Sequence, residues 1–158
     1  MNAKLPPAPF QNPIAGNGGL ASEVWNRWFS QMLTSLESCM SVAGSTTLTG
    51  QAASIGATAF GDALPAGLYR VEYHMRVTQA ATVSSSLTFT VSWTDGGVAQ
   101  SYSWAAMTGN TTATAQSAAT LVHVDPGSSV SYATSYASAG ATPMQYRLDG
   151  VLYRVGNL

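Results

Sequence analysis

Charge is scarce in this sequence: only 8% of its 158 residues are Asp, Glu, Lys or Arg, against about 25% in ordinary soluble domains. Lysine occurs once, at Lys4, and the formal net charge is -1, so the basic footprint that a phosphate backbone requires is missing and nucleic acid is not an expected partner. The single cysteine, Cys39, allows no internal disulfide. No apolar run approaches the ~20 residues of a membrane-spanning helix. Prolines 6, 7, 9 and 13 interrupt the N-terminus where a signal pattern would need an unbroken apolar run. The expectation is a chain made in the cytosol that does not enter a membrane.

Chemistry-bearing constellations are equally sparse. The two histidines, His74 and His123, fall in strand-like patterns without Cys, Asp or Glu at ligand spacing, so neither a metal nor a cofactor is expected. Of the seven carboxylates, Asp95 and Asp125 belong to turn sequences and Glu23 to a helix start, while Asp149 has no local explanation. No Gly-x-Ser-x-Gly elbow or acid-base pair is recognisable, and no catalytic residue is assigned. Gly16-Asn17-Gly18-Gly19 lacks the strand and lysine of a phosphate loop and reads as a hinge.

What is present is alternation. Tyr69, Val71, Tyr73, Met75 and Val77 alternate with Arg70, Glu72, His74 and Arg76, and Leu87, Phe89, Val91 and Trp93 alternate with Thr88, Thr90, Ser92 and Thr94. A period of two predicts half-buried antiparallel strands. Asp95-Gly96-Gly97 predicts a tight hairpin, because both glycines take positive φ readily. Further strands are expected at Thr46 to Leu48, Ala52 to Phe60, Val98 to Trp104, Thr112 to Val124, Ser129 to Ala137 and Met144 to Val155. Asp125-Pro126-Gly127 forms a turn, and Gly150 is expected to mark a bulge. About eight strands with this turn spacing predict a mainly β, jelly-roll-like antiparallel β-sandwich over residues 45–158.

Residues 1–44 follow another rule. Met1 to Gly19 holds four of the seven prolines and three glycines and must be an extended arm, with Leu5, Phe10 and Ile14 available to pack on another surface. From Ser22 the period becomes helical. Trp25, Phe29, Met32, Leu36 and Cys39 form one apolar row and Val24, Trp28, Leu33 and Met40 a second beside it, with a stop expected near Gly44. Such a helix either packs on its own domain or joins subunits. With 46% hydrophobic residues and so little charge, the composition predicts surface hidden in a homo-oligomer, with Leu5, Phe10, Ile14, Trp25, Trp28, Phe29, Met32 and Leu36 as attachment residues.

Two surfaces of the sandwich stay open to alternatives. The face made by Arg70, Glu72, His74 and Arg76 is either solvated, with cross-strand pairing, or a subunit interface rich in arginine and poor in lysine. Trp93, Tyr102, Trp104 and Tyr136, at strand ends, fit either core packing or a glycan platform.

The runs Pro65-Ala-Gly-Leu-Tyr-Arg-Val, Ser84-Ser-Ser-Leu-Thr-Phe-Thr-Val-Ser-Trp-Thr-Asp-Gly-Gly, Met107-Thr-Gly-Asn-Thr-Thr, His123-Val-Asp-Pro-Gly and Tyr132-Ala-Thr-Ser-Tyr-Ala-Ser resemble a β-rich module of tailed-phage and prophage proteins. Pro6-Pro-Ala-Pro-Phe, Asn17-Gly-Gly and Trp25-Asn-Arg-Trp-Phe resemble the anchoring start of short phage structural proteins. The resemblance implies a non-enzymatic virion component of the fibre, spike or capsid-decoration type, synthesised in the host bacterial cytoplasm. It further implies a trimer that attaches to capsid, tail or connector proteins. A host surface glycan is the alternative partner.

Overall fold

The computed structural model describes Ala8, residues 23–37 and residues 41–156. Leu5, Phe10, Ile14, Ser22, Cys39, Met40 and the Gly16 to Gly19 hinge lie outside the described residues, as does the side chain of Leu36. Among the described residues one helix, α1 (Glu23–Glu37), precedes eight strands: β1 (Ser41–Gln51), β2 (Ile55–Leu64), β3 (Gly67–Gln79), β4 (Ser84–Asp95), β5 (Val98–Ser103), β6 (Ala115–Val124), β7 (Ser128–Ala139) and β8 (Gln145–Gly156).

The strands form two four-stranded sheets, ordered β1-β8-β3-β6 and β2-β7-β4-β5, and every neighbouring pair is antiparallel. Only β4 and β5 are joined as a hairpin within one sheet; every other connection crosses between sheets, which makes the sandwich a jelly roll. The hairpin turns at Gly96 and Gly97, with φ of 60° and 75°. Two consecutive positive φ values match the strand twist, as Asp-Gly-Gly predicts.

The alternation of β3 and β4 holds residue by residue. Tyr69, Val71, Tyr73, Met75 and Val77 point into the core from the first sheet and meet Leu87, Phe89 and Val91 from the second. Phe60, Leu64, Ala81, Met107, Val122, Val124, Val130, Tyr132, Met144, Tyr146, Leu148 and Leu152 belong to the same core.

Two local expectations fail. Gly44 does not end the helix: the chain is already extended at Ser41, and Gly44 lies within β1. A Cβ at Gly44 would run into the Phe60 carbonyl, so glycine is there to let the backbones of β1 and β2 meet. Gly150 is likewise no bulge, since β8 stays in register on both sides, Gly150 pairing with Thr46 and Tyr73. A Cβ at Gly150 would lie 3.0 Å from the Phe60 ring, so the missing side chain makes room for that ring. Tyr146, Leu148, Gly150 and Leu152 therefore share the inner face, and Val151 and Tyr153 face outward. The register shifts of β8 fall elsewhere, opposite Val42/Gly44, Leu48/Gln51, Leu68/Tyr69 and Val77/Gln79.

In α1 the rings of Trp25, Trp28 and Phe29 gather with centroids 5.2 to 5.7 Å apart. Trp25 is buried, yet it does not belong to the sandwich core. Val24, Phe29 and Leu33 are exposed, and Met32 is half-buried.

Candidate functional site

The two long sides of a jelly roll need not be alike, and here they differ. β1 and β2 close one side by direct backbone approach at Gly44 and Gly61. On the other side β5 and β6 are the outermost strands of their sheets, and every residue of β5 is exposed. Residues paired directly across an antiparallel ladder lie on the same face. Val91 pairs with Tyr102, Trp93 with Gln100 and Asp95 with Val98, so Tyr102, Gln100 and Val98 lie on the core-facing side of β5 and are nevertheless open to solvent.

An aromatic cluster leads from this side into the core. Tyr102, 49% exposed, meets Trp104 edge-on at 4.8 Å. Trp104 meets Tyr73 at 4.9 Å and Phe89 at 5.6 Å, and Tyr73 stacks on Phe89 at 4.2 Å. The Trp104 N–H donates to the Phe89 carbonyl, prolonging the β4 ladder by one residue and fixing the indole over the core.

The ends of the open side are bridged. At one end the Gln116 amide N–H donates to the Ala105 carbonyl at 3.1 Å, joining β6 to the segment after β5. At the other, both oxygens of Asp125 accept backbone N–H groups of the hairpin, Gly96 at 3.0 Å and Gly97 at 2.7 Å. Those bonds, the Gly97 one foremost, hold the Asp125 carboxyl below its usual range. His123 Nδ1 meets Asp95 Oδ1 at 2.8 Å beside them. The ligand atoms of Asp95, His123 and Asp125 all lie within 4.8 Å of one another, a gathering that no sequence spacing announced. Both Asp125 oxygens, Asp95 Oδ1 and His123 Nδ1 are engaged in tying the hairpin to the end of β6, and the group acts as a structural clasp.

Tyr73 differs from the other core tyrosines. Tyr69 donates its hydroxyl to the Pro65 carbonyl, Tyr136 to the Met144 carbonyl and Tyr146 to the Ala53 carbonyl, and Tyr132 shares a hydrogen bond with Thr46. The Tyr73 hydroxyl is buried with no hydrogen-bond partner, as is the free oxygen of the Gln116 amide. Burial, and then the neighbouring Tyr102, push the Tyr73 pKa up to about 12. An unpaired buried hydroxyl costs about 1–3 kcal/mol, which makes it an unusual feature to retain.

Of the four aromatic residues expected at strand ends, Tyr102 and Trp104 come together on this side. Trp93 is on the same face of β4, paired with Gln100 and half-buried against the core. Tyr136 is elsewhere, stacked on Tyr146. Tyr73 and Gln116 were not singled out by sequence, because the first looks like one more residue of an alternating core strand and the second falls in a low-complexity polar stretch.

The charged face of the first sheet has its own pairing. Arg70 and Glu72 form an ion pair at 2.6 Å along β3, and His74 Nδ1 bonds Ser117 Oγ at 2.7 Å across to β6. Arg147 grips Asp149 through two N–H groups at 2.7 and 2.8 Å, and Thr47 adds a hydrogen bond from β1. Asp149 is thereby explained, and the Arg147 contact holds its carboxyl below the usual range. Arg76 is exposed on the same face, opposite Arg147. Leu121, Arg70, Tyr153 and Val42 form a row across all four strands, with Leu121 and Val42 exposed.

No family model matches this chain, and no curated protein matches it. Among solved structures, the chain is similar to TmCBM61, determined in complex with beta-1,4-galactotriose, at 15% identity and a TM-score of 0.43, over 73% of this chain and 88% of that one. It is similar to the CBM22-1 xylan-binding domain from Paenibacillus barcinonensis Xyn10C at 17% identity and a TM-score of 0.39, over 75% and 86% respectively. At such scores the ligand of this chain has to be argued from its own residues.

Proposed function

We propose that the sandwich is a non-catalytic glycan-binding module and that the N-terminal segment attaches it to a larger assembly, a tailed-phage virion. The observation that carries the binding reading is the half-exposed Tyr102 against Trp104 on a side of the sandwich that no strand covers. Aromatic rings with one open face pack against the C–H faces of sugar rings, while their other contacts keep them in place. The non-catalytic part is supported by the carboxylates of Glu72, Asp95, Asp125 and Asp149, each of which is tied to a partner among the described residues. A glycan array probed with the full-length chain and with Tyr102→Ala tests the reading. Specific binding that the variant loses is expected; an empty array would overturn it.

The helix favours a second, complementary reading, a structural role as a fibre, spike or decoration component. Its aromatic cluster lies outside the sandwich core, and Val24, Phe29 and Leu33 face solvent. Burying such a face in an assembly stabilises it by about 25 cal/mol per Å² of apolar surface. A trimer is the proposed state. Sedimentation of the full-length chain, with Trp25→Ala combined with Phe29→Ala as the disrupted form, tests it. The variant should lose oligomerisation or incorporation into particles with the sandwich still folded, and a monodisperse wild-type monomer at micromolar concentration would remove the trimer.

A further inference from the structure

The open side has a shape and a chemistry that narrow the ligand. Between the Gln116 bridge at one end and the Asp125 clasp at the other, β5 runs for six residues, about 20 Å of strand. One wall of this open side is Val98, Gln100 and Tyr102, with Trp104 following. The other is the half-buried part of the inner face of β6, Ala118 and Thr120, with Ala118 paired to Tyr73. Neither wall carries a charge, and the titratable groups of the clasp at the end, Asp95, His123 and Asp125, are engaged with one another or with the hairpin backbone.

Resting on the glycan-binding reading, we infer that this open side takes a neutral oligosaccharide, and that the Tyr73 hydroxyl and the free oxygen of the Gln116 amide are the groups that select it. Both atoms are buried and unpartnered, and the Tyr73 side chain as a whole is 3% exposed. The Tyr73 ring meets Trp104 at 4.9 Å, and Trp104 meets the half-exposed Tyr102 ring at 4.8 Å, so Trp104 and Tyr102 together lead from the Tyr73 ring to solvent. When these two rings shift onto a sugar face, the Tyr73 hydroxyl is uncovered and can donate to a sugar oxygen. The Gln116 amide is fixed by its bond to Ala105, which leaves its oxygen as an acceptor for a sugar hydroxyl. A carboxylate-bearing sugar is disfavoured, because the site would desolvate that charge and offer it no cation, while an amide oxygen repels it. A peptide adding to the β5 edge would use backbone groups and leave the Tyr73 hydroxyl as it is.

The test uses the full-length chain on an array of neutral oligosaccharides and acidic ones containing uronate or sialate, followed by calorimetric titration with the tightest neutral member. The wild type should bind neutral members in preference. Tyr73→Phe should weaken binding about tenfold, the loss of one hydrogen bond, while its thermal midpoint stays unchanged or rises because an unpaired buried hydroxyl is gone. Tyr153→Phe, on the outer face, should bind as the wild type does. An empty array would overturn the inference together with the reading beneath it. Preference for acidic glycans, or undiminished binding by Tyr73→Phe, would overturn the inference and leave the glycan reading standing. A wild-type oligomer that Tyr102→Ala dissociates would show that another copy covers this side, and would also overturn it.

Discussion

The two long sides of this sandwich are built on opposite terms. On the β1/β2 side, glycine brings two backbones together, the Phe60 ring fills the place of a side chain at Gly150 and packs on Tyr132 at 4.7 Å, and Tyr146 and Thr134 share a buried hydrogen bond at 2.7 Å. Thr134 also accepts the Ile55 N–H, so strands from both sheets are joined through one polar network. On the β5/β6 side, Tyr102 stands half in solvent, a tyrosine hydroxyl is buried unpaired, and side-chain hydrogen bonds tie the sheets at the two ends, from Gln116 to Ala105 and from the hairpin to Asp125. The difference teaches where stability and recognition are invested. On the closed side the one unpaired buried atom among the described residues, Arg154 Nε, belongs to a side chain whose terminal N–H already donates to the Ala66 carbonyl, whereas the unpaired groups of the open side lie beside a half-exposed ring.

The contrast makes unequal demands on mutations. Phe60→Ala should have the largest effect, about 3–5 kcal/mol of lost stability, lowering the thermal midpoint by on the order of 10 °C, because the ring's place against Gly150 cannot be refilled by neighbouring backbone. Calorimetric or circular-dichroism melting checks this, and a loss below about 1 kcal/mol would mean that the closed side is not what holds the sheets together. Next comes Gly44→Ala, expected to cost about 1–3 kcal/mol through overpacking against the Phe60 carbonyl. Gly56→Ala, in the neighbouring strand with open space around it, is its control and should stay within about 0.5 kcal/mol in the same denaturant titration.

Acid sharpens the comparison at smaller amplitude. Asp149 ties β8 to β1 toward the closed side and Asp125 clasps the end of the open side, and both carboxyls are held below their ordinary value of 3.8. A carboxyl depressed in the folded state contributes stability that is present above its unfolded pKa and lost as pH falls through its folded one. The stability of the wild type should therefore decline below about pH 4. Asp149→Asn and Asp125→Asn should each flatten part of that decline, as seen by melting across a pH series. Identical acid limbs in wild type and both variants would show that these contacts carry no linkage.

Tyr102→Ala should be the smallest in stability, within about 0.5 kcal/mol, since the ring is half in solvent at an edge strand. A large destabilisation would make Tyr102 part of the core after all, and would take the open side out of consideration as a binding surface.

Much of the fold was legible. Unbroken alternation in Tyr69 to Val77 and in Leu87 to Trp93 identified the inner face of each sheet, and Asp95-Gly96-Gly97 identified the single hairpin. Alternation survives because burial on one face of a pleated strand is a local property of every second residue. The glycines misled. Gly44 looked like a helix stop and Gly150 like a bulge, and both prove to be spaces for Phe60, a residue distant in sequence from Gly150. Of the candidate site, Tyr102 and Trp104 could be suspected as aromatics at strand ends. The meeting of Trp104 with Tyr73 and the bond from Gln116 to Ala105 could not, since Tyr73 and Gln116 lie on β3 and β6 of the opposite sheet.

The sequence by itself determined which side chains of β3 and β4 turn inward, that there are about eight strands and where the β4/β5 hairpin reverses, because these depend on period and on the conformational range of single residues. Only the tertiary structure decided that one side of the sandwich closes on Phe60 while the other stays open over Tyr73. Whether a buried hydroxyl finds a partner depends on groups that the chain brings together from separate strands across two sheets, and that pairing is a property of packing in three dimensions.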